Sequence, residues 1–430
     1  MTIRHAVSPL TKLLLLAGCL LLPGCVQLTL AWADLNPRGP EARPDVLGAF
    51  EQQAPVTTPA QWREERVPAL QAALQDHVYG WFPDASSARV TERRVVSDSA
   101  FGDKAIVEEW RVEATATFGD AAPATAAFNM VVVLPKEATG PVPVILMETF
   151  CASHTTVPVE GVTKPEGRSA CDGGRMMNSV FTYIFGRYIS TPPLDRIVER
   201  GYALATVYPS EYVPDSATSG QAALERLSAG YTDDETRWGS IAAWAWGFSR
   251  MIDVLEEDAR FDRDGMVLYG HSRYGKSALV GAAFDERVDG VITHQSGTGG
   301  AALNRDKPGE TVGDITNSYP HWFSKTYASY EGREGDMPVD QHQLLALVAP
   351  RPILIGNARR DVWSDPTGSF LAAKGADAAY GLLGSDGLEQ ESLKAFIPSA
   401  DLSFWIRPGT HGVTEEDWPV FLEFLDAHFQ

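Results

Sequence analysis

The chain is short of cysteine, of positive charge and of repetition, and each shortage excludes a class of protein. Of four cysteines in 430 residues, Cys19 and Cys25 lie in an N-terminal leader-like segment, which leaves Cys151 and Cys171 for the folded part. Neither sits in a C-x-x-C pair or a cysteine–histidine metal spacing. Lysine and arginine number 36 against 56 aspartates and glutamates, a net charge of −20. Such a chain repels a phosphate backbone, so nucleic acid is excluded as a partner. No internal repeat and no low-complexity tract is present. What remains is an ordinary globular composition, 44% hydrophobic and 21% charged, with ample sequence for a large core.

The N-terminus reads as an export signal, because Arg4 and Lys12 precede the apolar run from Leu13 to Leu22. Three cleavage sites compete within residues 1–33. "LAGC" ending at Cys19 and "LPGC" ending at Cys25 resemble the lipobox of bacterial lipoproteins, and "AWA" ending at Ala33 resembles an ordinary secretory site. Cys25 leaves the better apolar length. All three place the folded part outside the cytoplasm, as a periplasmic, outer-membrane-attached or secreted protein, with an N-terminal lipid as the possible membrane link. In that oxidising setting Cys151 and Cys171 form either a disulfide, stabilising by ~3 kcal/mol on chain-entropy grounds, or two buried thiols.

Residues 34–59 are rich in proline and polar residues and are expected to be a linker or a surface strap. A single domain, 60–430, follows. Thr58 and Pro59 are a good N-cap and first helical residue for a helix with Trp62, Val67, Leu70, Leu74 and Val78 on one face. "ARVTERRVV", "AIVEEWRVEATATF", "TAAFNMVVVLP" and "VPVILMETF" predict a run of antiparallel strands. Thereafter short apolar strands ("YALATVYP", "GMVLYG", "VDGVITH", "RPILIGNA", "LSFWIRPG") alternate with helices. The pattern predicts an α/β fold, a doubly wound, mostly parallel sheet between helical layers with antiparallel N-terminal strands.

"GHSRYGKS", Gly270 to Ser277, spells two incompatible devices. As G-x-x-x-x-G-K-S it is a phosphate-cradling loop. As a serine elbow it carries Ser272 on a strand-to-helix turn, although the usual G-x-S-x-G glycine arrives one residue late, after Tyr274. Context favours the elbow. A phosphate loop follows the first strand of its domain and needs a downstream strand ending in aspartate, whereas several strands precede Gly270 and no later strand ends in the required acid.

An elbow serine of this fold is followed in chain order by an acid after a late strand and a histidine after the last strand. His411, in "IRPGTHGVTEEDW", directly follows the last strand. His342 and His428 sit in helices, and His294 and His321 either line the pocket or pack. For the acid, Asp365 precedes Pro366 and so has an N-cap role, which leaves Asp361.

These residues also carry a family likeness. "GHSRYGK", "SGTGGAALNRDKPGET", "YPHWF", "PVDQHQLLALVAPRP", "DVWSDPTGSFLAA" and "GTHG", with "WGSIAAWAWGFSR" and "RGYALATVY", resemble the bacterial glucuronoyl esterases of carbohydrate esterase family 15. The resemblance covers most of Tyr79 to the C-terminus and implies an α/β-hydrolase fold whose elbow has the late glycine as its own variant. It implies a 4-O-methyl-glucuronoyl methylesterase, a serine-type carboxylic ester hydrolase without metal or cofactor. The substrate would be the uronate ester that joins glucuronoxylan to lignin alcohols in plant cell walls. Ser272 would be nucleophile, His411 base, Asp361 acid and Arg273 an oxyanion helper, with a second backbone donor near Phe150 to Ala152. Lys276, Glu310 and Trp363 would contact the sugar, although from the residues alone Lys276 equally reads as a helix cap and Trp363 as core.

Two places depart from the family pattern. Many relatives carry a glutamate just before "SG-x-GG", where this chain has Gln295, which cannot ionise. The oxyanion-side loop, "ETFCASHTT", is more polar than the family's usual one. Two further expectations therefore stay open: an esterase for acetyl or other acyl groups of polysaccharide, and an inactive carbohydrate-binding lipoprotein.

Overall fold

The computed structural model describes residues 43–165, 171, 182–305, 307–393 and 395–430. The expected leader, with Cys19 and Cys25, and the beginning of the Pro-rich segment lie outside the described residues. From residue 43 that segment is not a free linker but a strap held to the body. Val46, Phe50 and Val56 are buried, and the buried guanidinium of Arg66 donates to the carbonyls of Val46 at 2.8 Å, Gly48 at 2.7 Å and Ala54 at 3.2 Å. Beyond the short bridge between Phe50 and Gln53 the strap has no helix or strand to pair its carbonyls, and one arginine with five donors satisfies several at once. The helical stretch 59–79 (α1) follows, with the Thr58 hydroxyl accepting from Gln61 N at 3.3 Å and Trp62, Leu70, Leu74 and Val78 buried.

Nine strands form one sheet: β1 (Ala85–Ser99), β2 (Ala105–Thr117), β3 (Ala124–Pro135), β4 (Val142–Glu148), β5 (Ala203–Val207), β6 (Phe261–His271), β7 (Gly290–His294), β8 (Ile353–Ala358) and β9 (Leu402–Arg407). Their order is β1-β2-β3-β5-β4-β6-β7-β8-β9. The pairs β1/β2, β2/β3 and β3/β5 are antiparallel and all later pairs are parallel. The expectation that "VPVILMETF" extends the antiparallel run is corrected, since β4 lies between β5 and β6, parallel to both. Side-chain pattern marks a strand as buried on both faces but carries no direction, and a strand flanked by crossovers is parallel.

Further helices cover the sheet: α2 (Leu194–Glu199), α3 (Ser240–Leu255), α4 (Arg273–Phe284), α5 (Pro366–Leu382) and α6 (Asp417–Phe429). Alternate strand residues enter two cores. Val144, Leu146, Met266 and Leu268 pack with α1, α3, α4 and α5, whereas Ile145, Met147, Val267 and Tyr269 pack with α2 and α6. This three-layer arrangement is the α/β-hydrolase fold, and it brings the loops after β4, β6, β7, β8 and β9 to one edge.

One acid is sealed inside this frame. Glu148, the last residue of β4, is 1% exposed and accepts from the hydroxyls of Ser277 and Tyr212, each at 2.7 Å. Burial pushes its carboxyl up to about 8, against the opposing effect of the two hydrogen bonds. An unfolded glutamate titrates near ~4.3. The stability conferred by folding around the protonated acid is therefore fully present below the unfolded value and is lost as pH rises through the folded one. Glu148→Gln keeps the shape without the charge. Its urea midpoint, compared with wild type, should shift progressively in the mutant's favour from about pH 5 to about pH 9, and parallel midpoints across that range would contradict the assignment.

Candidate active site

β6 delivers Ser272 to the sheet edge with φ +58° and ψ −122°, and α4 begins at the next residue. The turn is tied to the neighbouring strand by Ser272 N donating to His294 O at 2.8 Å. The late glycine has a steric explanation. A Cβ at Gly275 would stand 2.9 Å from Gly270 O and 3.1 Å from His294 O, and one at Gly270 would stand 1.9 Å from Tyr274 O. These two positions, not the intervening one, are where helix and strand touch. Tyr274 points its side chain elsewhere, buried with ring centroids 4.8 Å from Phe150 and 5.2 Å from Trp244.

The loop after β9 carries His411, whose Nδ1 lies 2.7 Å from Oδ2 of Asp361 in the loop after β8. Asp361 is 3% exposed. Burial opposes its ionisation, but the charge and hydrogen bond of His411 and the bonds from Ser364 outweigh it and hold the carboxyl below the usual range. Asp365 caps α5, accepting from Gly368 N at 3.0 Å. The two neighbouring aspartates therefore bond different groups, Asp361 the His411 ring and Asp365 the first turn of α5.

Ser272, Arg273, Lys276, Glu310, Asp361, Trp363 and His411 line one cavity of about 410 Å³. Arg273 forms an ion pair with Asp215 and lies 4.8 Å over the Trp322 ring. Lys276 is buried and does not cap its helix, because its ammonium donates to the Ser296 carbonyl. Burial lowers it to about 8, with the Glu310 charge acting in the opposite direction. Trp363 is not core, since it is 61% exposed at the cavity. Glu310 is half-buried, with its N–H 3.4 Å from the Trp363 carbonyl.

Phe150 lines the same cavity, and the buried Cys151 beside it is joined to Cys171 by a disulfide with a Cα–Cα distance of 5.4 Å. The Cys151 carbonyl also accepts from Thr149 Oγ1 at 2.7 Å and Thr156 Oγ1 at 3.2 Å, so this loop is fixed from both sides. Gln295 follows β7 with φ +49°. Its Oε1 accepts from Gly412 N at 2.8 Å and its Nε2 lies 3.5 Å from Thr410 O, so it braces the peptides on both sides of His411. Among the described residues no cluster of three histidine, cysteine or acidic side chains is placed to hold a metal ion.

Of the other histidines, His342 Nε2 donates to the Pro44 carbonyl of the strap at 2.7 Å. His294 is buried, 3.2 Å from His271 through their Nδ1 atoms and 3.3 Å from Asp417. His321 and Trp322 both bond Asp215. Asp215, His271, Ser364 and Arg407 were not evident from sequence. Asp215 stands in a polar loop without motif, and the others sit beside recognised residues with no spacing of their own to mark them.

A family model described as "Glucuronyl esterase, fungi" matches residues 197–384. The chain is 35% identical over 380 residues to carbohydrate esterase MZ0003 from an unknown prokaryotic organism, covering 87% of this chain and 86% of that one. Among solved structures, it resembles a promiscuous CE15 esterase from the marine bacterial metagenome with a TM-score of 0.79 at 32% identity, covering 92% of this chain and 98% of the other. A glucuronoyl esterase from Solibacter usitatus gives a TM-score of 0.76 at 32% identity, covering 91% and 99%.

With Gln295 unable to ionise, orientation of His411 falls to Asp361. Labelling of Ser272 by a fluorophosphonate should therefore slow by at least ~100-fold in Asp361→Asn, given losses near 10⁴ when such an acid becomes an amide elsewhere. Labelling at the wild-type rate would remove Asp361 from the site.

Proposed function

The chain belongs to carbohydrate esterase family 15, the glucuronoyl esterases, and we propose that it hydrolyses the 6-carboxyl ester of 4-O-methyl-glucuronate branches where xylan is joined to lignin alcohols. It is a carboxylic ester hydrolase. The observation that carries the finer reading is the single cavity in which the Asp361–His411 pair, Ser272 and two cationic side chains, Arg273 and Lys276, meet.

In this reading Ser272 Oγ attacks the ester carbonyl while His411 Nε2 takes its proton, and Asp361 holds Nδ1–H. The carbonyl oxygen becomes an anion beside the Arg273 backbone N–H and guanidinium. A uronate ester is neutral before attack and anionic in the tetrahedral state, so a fixed cation there favours the transition state over the ground state. His411 returns the proton to the departing alcohol. Water then repeats the sequence on the acyl-enzyme and releases the uronate. Lys276 and Glu310 would hold sugar hydroxyls, with Trp363 as the exposed apolar platform. Phe150, Phe185 and Ile189 give the cavity an apolar side that suits an aromatic alcohol.

Export belongs to the same proposal. It is supported by the charged and apolar N-terminal pattern and by the Cys151–Cys171 disulfide, a bond that persists in oxidising compartments. Intact-mass analysis of the mature protein should show acyl chains on Cys25, and an unmodified chain beginning after Ala33 would replace the lipoprotein reading with free secretion.

Purified protein should cleave benzyl glucuronate, and Ser272→Ala should abolish the reaction. Hydrolysis of acetylated xylan without benzyl glucuronate would overturn the substrate assignment in favour of an acetyl esterase. Turnover that survives in Ser272→Ala would overturn the serine mechanism, and no turnover of any ester would favour the carbohydrate-binding alternative.

A further inference from the structure

Arg273 does not reach the cavity as a free arm. Its Nη1 donates to Asp215, and its Nε is buried without an acceptor. Its guanidinium carbon lies 4.8 Å over Trp322 and 5.5 Å from both Phe150 and Tyr319, and the Tyr319 and Trp322 rings are themselves stacked at 3.8 Å. The cation is thus held in an aromatic corner and fastened at one nitrogen, while a quarter of the side chain (24%) stays open.

The fastening point is itself built. Asp215 accepts from three side chains: Arg273, His321 Nε2 at 2.9 Å and Trp322 Nε1 at 2.8 Å. Burial and then the Arg273 charge push the His321 imidazole down to about 4, so near neutral pH it is an uncharged donor. Arg273 is the cation among the three. The loop bearing Asp215 is pinned next to this corner, since a Cβ on Gly220 would stand 2.3 Å from Pro214 O and 3.3 Å from the His321 ring. Two neutral donors therefore aim the carboxylate, and the carboxylate aims the guanidinium.

We infer that Asp215 is a positioning residue, which fixes the Arg273 guanidinium against Trp322 so that its remaining N–H groups stand ready where the oxyanion forms beside Ser272. The inference rests on the reading that Arg273 meets that oxyanion. An arginine side chain has many rotamers, and a donor that must be gathered at the moment of reaction stabilises charge less than one already in place. Asp215 acts only through Arg273 and touches no reacting atom. Without it, ground-state binding stays while the chemical step slows.

The test is a double-mutant cycle of Asp215→Asn and Arg273→Gln, with kcat and KM read on benzyl glucuronate and on 4-nitrophenyl acetate and thermal melts for each variant. Asp215→Asn should lower kcat by about 10-fold or more with KM changed less than about twofold. The double variant should match Arg273→Gln alone, because a residue acting only through another has nothing left to lose. Should Asp215→Asn fail to fold, Asp215→Glu, which displaces the guanidinium while keeping the charge, carries the same cycle with the same expected coupling. Losses that multiply in the double variant, a loss confined to KM, an unchanged kcat in Asp215→Asn or an unchanged kcat in Arg273→Gln would each overturn the proposal. Wild-type turnover of the acetate alone would refute the glucuronoyl reading yet leave the cycle fully readable on that ester.

Discussion

The site hangs on two positive-φ residues placed side by side. Ser272 follows β6 with φ +58° and Gln295 follows β7 with φ +49°, and the residues just before them, His271 and His294, are paired across the two strands. A side-chain-bearing residue in that region costs of order 1 kcal/mol or more. Each turn is held by a last ladder bond, Ser272 N to His294 O and Gln295 N to Gly356 O, both 2.8 Å. The first turn lifts Ser272 above the sheet edge. The second rotates Gln295 away from its strand and into the loop that carries His411, so positive-φ turns on adjacent strands present Ser272 and support His411.

That support suits an amide at position 295. The peptides flanking His411 offer one donor, Gly412 N, and one acceptor, Thr410 O, and an amide side chain can meet both while a carboxylate can meet only the donor. Arg407 works on the same loop from below. It donates to Gly412 O at 2.8 Å and Thr410 O at 3.2 Å, and is itself held by Asp417 at 3.0 Å. Beneath the imidazole, burial lowers both His271 and His294, so the layer under His411 is packed with neutral rings. The His411 loop itself is held by Asp361 on one side and by the Arg407–Asp417 pair on the other.

Much of this was legible in the sequence, and the remainder has physical reasons for staying hidden. Chain order placed Ser272, Asp361 and His411 because the fold leaves few loops able to hold each of them. Asp365 was separable from Asp361 because Asp-Pro is a local capping signal. Strand direction was not legible, and β4 was misplaced, because alternation and burial look alike in parallel and antiparallel strands. Asp215 lies far from Ser272 in the chain, in a polar loop like any other, and only folding brings it to Arg273. Glu148 ends an apolar strand, where an acid ordinarily signals exit to solvent, yet Ser277 and Tyr212 close over it. The Cys151–Cys171 bond was undecidable because two cysteines fit a bridge or a pair of thiols equally well.

The phosphate-loop spelling of "GHSRYGKS" is accounted for letter by letter without a phosphate. Gly270 is required by the approach of the Tyr274 carbonyl, and Gly275 by the Gly270 and His294 carbonyls. Lys276 turns its ammonium to the Ser296 carbonyl, and Ser277 turns its hydroxyl inward to Glu148. A phosphate cradle needs backbone N–H groups turned outward to an anion. Here the N–H of Ser272 is spent on His294 O, and that of Lys276 closes the first helical turn on Ser272 O. The two devices share letters because both must bring a helix hard against the end of a strand, which demands glycine. They differ in what the turn presents: an arc of amides in one, and in the other a single hydroxyl raised on a strained residue beside an anchored arginine.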